Sequence, residues 1–100
     1  MTKILNEREA EVMVKRNILF KQIGAKINYY RNLMGIKQDD LARRVHISRS
    51  ALSRIENGHY DSAISIDLLI DLAEVMNTDF RLLIDFNEVE EKMWLMESVS

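Results

Sequence analysis

Residues 38–58 read QDDLARRVHISRSALSRIENG, and the fold turns on this stretch. Leu41, Ala42 and Val45 fall on one face of a helix that ends near His46, while Leu52 and Ile55 fall on one face of a second, with Ile47 closing the gap between them. Ser48 is placed to cap the second helix, because its hydroxyl can accept from backbone N–H groups left open at a helix start; that helix therefore begins at Arg49. Asn57-Gly58 supplies its stop, since both residue types enter the left-handed conformation that ends helices at little cost. The reading is two short helices joined by a tight turn.

These residues resemble the helix-turn-helix of the Cro/C1 repressor family, also called the Xre family. The family pattern is a Gln opening helix 2, a small Ala within it, a Gly-Ile-Ser turn and a recognition helix ending Ile-Glu-Asn-Gly. Here those places hold Gln38, Ala42, His46-Ile47-Ser48 and Ile55-Glu56-Asn57-Gly58. With the flanking helices that the family fold requires, the resemblance runs from Ile23 to Leu83. His46 departs from it, standing where the family has a Gly at positive φ, so strain is expected there. Lys37 replaces the usual Ser or Thr cap of helix 2. The loop after Gly58, HYDSAIS, is longer than the family norm and lacks its common Pro.

Moving outward toward the N-terminus, Ile23, Ile27, Tyr30 and Leu33 form one core-facing stripe of helix 1, which Gly35 ends. Before it, Leu5 to Leu19 contains strong helix formers, with Asn6 as a cap, but Val12, Met13, Val14, Ile18 and Leu19 make no single stripe. This extra helix reads as a DNA-grasping arm, as a dimer contact, or as a helix leaning on its own domain. Toward the C-terminus, Ile66, Leu69, Ile70, Ala73 and Met76 share one side of helix 4, capped by Ser65 and ended by Asn77. The next segment, DFRLLIDF, suits either a short helix capped by Asp79 or a strand alternating Phe80, Leu82, Ile84 and Phe86; the strand is preferred. Residues 87–100 are acidic, with Trp94 either a docking anchor or part of a fraying tail. The expected organisation is a helical extension over 1–19, a DNA-binding domain over 20–78, and a dimerisation segment with an acidic tail over 79–100.

One hundred residues at 47% apolar content suit one small domain. There is no cysteine, and no apolar run approaches the length of a membrane span, so a cytoplasmic location without membrane contact is expected. The net charge of −2 hides a strong asymmetry: residues 1–60 hold 12 Lys/Arg against 6 Asp/Glu, and residues 61–100 hold 2 against 10. One half can face phosphate while the other turns away. His46 and His59 have no metal-ligand spacing, and no nucleophile elbow or Gly-rich phosphate loop is present. No metal, cofactor or enzymatic activity is expected.

The resemblance implies an all-α, compact four- to five-helix domain with the N-terminal helix added and the C-terminal strand as a dimerising element. It also implies a buried ion pair between Arg31 and Glu56, and phosphate contacts from Gln38, Ser48 and Asn57. A recognition helix carrying Arg49, Ser50, Ser53 and Arg54 suits the major groove, where arginine can take guanine O6 and N7 and serine can donate or accept. The expected function is a transcriptional regulator, by preference a repressor, that binds double-stranded DNA at a palindromic operator as a homodimer joined through Phe80, Leu82, Ile84 and Phe86. The alternative is an antitoxin that binds both DNA and a toxin protein, and a third reading is a protein-interaction adaptor that kept the fold alone.

Overall fold

The structure, a computed structural model, describes residues 4–59 and 64–99. These form helices α1 (Glu7–Leu33), α2 (Gln38–Arg44), α3 (Arg49–Glu56), α4 (Ile66–Val75) and α5 (Glu88–Val99), with a short 3₁₀ helix at Phe80–Leu83, and no strand among the described residues. Residues 60–63 of the loop after Gly58 lie outside the described residues, as does the side chain of Trp94.

The caps follow from the sequence. Asn6, Ser48 and Ser65 each accept from the backbone N–H three residues on, at 2.8, 3.0 and 3.0 Å. Lys37 makes no such bond at the start of α2, where Asp39 and Asp40 instead place negative charge against the positive end of the helix. The first four helices end alike, on a left-handed residue whose N–H and successor N–H return to carbonyls of the last turn. Gly35, His46, Gly58 and Asn77 hold those positions, with φ of 69°, 61°, 75° and 52°. In α2 the returning bonds are His46 to Arg43 at 3.1 Å and Ile47 to Ala42 at 3.0 Å. His46 is exposed, so its side chain gains little burial in return for a backbone conformation that disfavours a Cβ. His46→Gly is therefore expected to raise the unfolding free energy by about 1 kcal/mol, read as a higher urea midpoint at unchanged slope; a lower midpoint would show that the imidazole holds the turn.

The core is built where α1 to α4 meet. Ile27, Leu41, Leu52, Leu72, Met76 and Leu83 are the largest fully buried side chains, with Ile23, Ala42, Val45, Ile55, Leu69 and Ala73 packed around them. Three expectations are corrected here. Leu33 is 65% exposed: six residues beyond Ile27 the helix has rotated by about 240° away from the core direction, and Arg31 and Tyr30 face inward instead. In α4 Ile66 and Ile70 are exposed while Leu72 takes the inner position, because Leu69, Leu72, Ala73 and Met76 make the tighter arc.

The third correction concerns residues 80–86. Phe80, Leu83 and Phe86 are the ones turned to the core, Leu83 fully buried, while Leu82 and Ile84 are exposed. A spacing of three is the 3₁₀ period and not the two-residue alternation of a strand. Asp79 caps this turn, accepting from Arg81 N at 3.0 Å, and the Arg81 guanidinium at 2.6 Å helps hold its carboxyl down at about 2 from the usual 3.8. Phe80 and Phe86 thus pack on their own domain, and the strand edge through which two copies were expected to pair does not form.

The extension and helix 1 also differ from two separate elements. They are one 27-residue helix, about 40 Å long at 1.5 Å per residue, which matches the 41 Å longest dimension of the molecule. Only from Ile18 onward does α1 bury side chains. Along its core-facing part it also packs against α5, joined by Lys26 Nζ to Glu90 Oε1 at 3.1 Å.

Candidate nucleic-acid interface

α3 turns Leu52, Ile55 and Glu56 inward and leaves the opposite side outside. Arg49, Ser50 and Arg54 are exposed and Ser53 is half-buried; at 3.6 residues per turn these four share an arc of roughly 140°. The sequence predicts them as base-reading residues, and the structure gathers them on one face. No carboxylate lies on that arc, since the one acid of α3, Glu56, points to the core. Arg49 and the open N–H groups of the first turn therefore act in the same direction and attract anions, and Arg54 adds a positive charge to the same face in the last turn.

Of the three residues expected at phosphates, Ser48 and Asn57 bracket α3. The Ser48 hydroxyl accepts from Ala51 N at 3.0 Å, which leaves its proton available to a phosphate oxygen. Asn57 donates Nδ2 back to the Ser53 carbonyl at 2.9 Å. Gln38 opens α2, half-buried. Farther along α2, Arg43 and Arg44 are exposed and share Asp40, at 2.6 and 3.9 Å, an arrangement that the motif alone did not single out.

What holds this face in place is a buried polar cluster at the far end of α3. Arg31 Nε lies 2.8 Å from Glu56 Oε2 and Arg31 Nη2 lies 2.9 Å from Glu56 Oε1, a bidentate pair with side chains 11% and 2% exposed. Arg31 Nη1 also donates to the Ile36 carbonyl at 2.9 Å, and Asn28 Nδ2 donates to Glu56 Oε1 at 2.7 Å. One guanidinium thus ties α1, the turn before α2, and the end of α3. Asn28 was missed in the sequence, although its position one helical turn before Arg31 puts it on the same face. Gly24 was missed as well: a Cβ there would meet the Ile55 carbonyl oxygen at 2.2 Å, so α1 crosses α3 in direct backbone contact.

Residues 27–83 match the family model described as Helix-turn-helix. An HTH-type transcriptional regulator of Methanocaldococcus jannaschii is 39% identical over 41 residues, which are 41% of this chain and 62% of that relative, so less than two thirds of the relative's length is matched. Among solved structures, the clp gene regulator ClgR from Corynebacterium glutamicum superposes with a TM-score of 0.64 at 20% identity, over 81% of each chain. The hypothetical transcription factor NHTF from Neisseria superposes with a TM-score of 0.62 at 16% identity, over 93% of this chain and 94% of that one. At these identities the two structures show a shared fold.

Proposed function

Because the chain belongs to the Cro/C1-type helix-turn-helix family, we propose that it is a transcriptional regulator, acting as a repressor, that reads a palindromic double-stranded operator as a homodimer in the cytoplasm. The observation that carries this is the single outward face of α3, with Arg49, Ser50, Ser53 and Arg54 together on a helix capped by Ser48 and anchored by Glu56. Such a helix fits the width of the major groove, where each base pair presents its own donor and acceptor pattern. Gln38, Ser48 and Asn57 hold the flanking phosphates, which fix register without reading sequence. One such helix reads too few base pairs to stand out against a genome of competing sites, so two copies bind half-sites on one face of the duplex.

The test begins with bound fragments selected from a random DNA library, followed by titration of the enriched site. Arg49→Ala and Arg54→Ala are each expected to cost about 1–3 kcal/mol on that site and to relax preference at one position of each half-site. Gln38→Ala should weaken cognate and random DNA alike. If the two arginine variants lose equally on both kinds of DNA, they do not read bases.

A further inference from the structure

The N-terminal half of α1 stands outside the domain. From Glu7 to Asn17 every side chain is exposed except Glu9, which is half-buried and hydrogen-bonded to the Asn6 amide. The arm nevertheless carries Val12, Met13 and Val14 at 51%, 47% and 44% exposure, and Leu19 at 42%. A helical segment this short gains little in water from its own hydrogen bonds and draws its stability from packing. Its apolar residues are distributed around the helix, so one flat neighbour on one side would leave part of them wet.

We propose that the arm of each copy is received by a second copy of this chain, packing against that copy's α5 and arm, and that this reciprocal contact is the two-fold joint of the dimer. Three observations select a second copy as the occupant. The first is charge complementarity: the apolar stretch of the arm, Val12 to Asn17, holds Lys15 and Arg16 with no acid, the arm's three Glu (Glu7, Glu9 and Glu11) lying before it, whereas residues 88–99 hold four Glu and one Lys. Within one chain the same pairing already operates farther along α1, in the Lys26–Glu90 contact at 3.1 Å. The second is that α5 has uncovered apolar residues of its own, Met93 at 64% and Met96 at 74% exposure. An arm whose apolar stretch carries Lys15 and Arg16, and an acidic helix with apolar residues of its own on the same chain, satisfy each other twice in a closed two-fold pair, which is what an isologous interface requires.

The third is position. α1 passes the C-terminal end of α3, where Gly24 meets the carbonyls of Ile55 and Glu56 and Gly58 lies against Lys21, before the arm runs on beyond the core. The joint therefore lies toward the end of the recognition helix opposite Arg49, leaving the reading face open. This deepens the dimeric reading above and rests on it for its use in operator binding, but its test needs no DNA. Light-scattering mass of the full chain at tens of micromolar is expected to give two chains per particle. V12K/V14K, which alters only exposed positions, should give a monomer with unchanged helical circular dichroism of its core. K15E/R16E should weaken the dimer, and adding Glu91→Lys on the exposed side of α5 should recover most of the loss. A monomeric wild type, a dimer indifferent to V12K/V14K, or a charge exchange that fails to restore association would overturn the proposal. Any of these would leave the DNA reading to stand or fall on the Arg49→Ala and Arg54→Ala titrations.

Discussion

Replacing either Arg31 or Glu56 singly, as Arg31→Met or Glu56→Leu, is expected to destabilise the domain by roughly 3–5 kcal/mol. The size follows from what the removed partner leaves behind. Glu56, its side chain 2% exposed, accepts from Arg31 Nε, Arg31 Nη2 and Asn28 Nδ2; without the guanidinium its carboxylate stays buried with one donor from a neutral amide. Without Glu56, the Arg31 charge keeps only the Ile36 carbonyl. The double variant R31M/E56L should lose far less than the sum, because two apolar side chains of similar volume bury no charge. It should still fall short of wild type, since the Ile36 carbonyl and the Asn28 amide lose their partners. Arg31→Lys should behave like the damaging single changes, as one ammonium cannot span both carboxylate oxygens and the carbonyl. Urea unfolding of the wild type, R31M, E56L and the double variant gives the coupling energy directly. Coupling near zero would mean that the pair, despite its geometry, contributes no more than a solvated one.

The same cluster explains which parts of the fold could be read before the structure. Helices α2 and α3 were legible because their information is local: cap, apolar face, turn and stop all lie within residues 38–58. The outward face of α3 was legible as the polar complement of Leu52 and Ile55. α1 was misread as two helices because the residues it buries change direction along its length: Ile23, Ile27 and Arg31 face the core, Ile18 is buried nearer the arm, and Val12 to Val14 stay exposed. No single stripe covers three environments. Residues 80–86 were ambiguous for a different reason, since Phe80, Leu82, Leu83, Ile84 and Phe86 satisfy a period of two and a period of three. The core around Leu83 decides between them, and that core is assembled from residues far away in sequence.

Gly24 is the position where local reading and structure disagree most, and the second large effect is expected there. By propensity alone, Gly→Ala inside a helix should stabilise by about 1 kcal/mol. In this chain Gly24→Ala is expected to destabilise by about 3 kcal/mol, at the upper end of overpacking changes. The new Cβ would sit 2.2 Å from the Ile55 carbonyl oxygen and 2.9 Å from that of Glu56. These are backbone atoms of α3, so no side-chain rotation can relieve the overlap. Contact at about 3.5 Å requires α1 to withdraw from α3, and the withdrawal stretches the Arg31–Glu56 pair and opens the packing of Ile23 and Ile27 on the same helix. Gly35 gives the matched control: a Cβ there meets nothing within 4 Å, but its φ is +69°, so Gly35→Ala should cost only the left-handed penalty of about 1 kcal/mol. One glycine is thus required for space and the other for its torsion angle. The two variants should separate in DNA binding as well, because Gly24→Ala moves the end of α3 whereas Gly35→Ala leaves α3 where it is. If Gly24→Ala matched the mild loss of Gly35→Ala, or raised the urea midpoint, α1 and α3 would not be in backbone contact, and the anchoring of the reading face would rest on the ion pair alone.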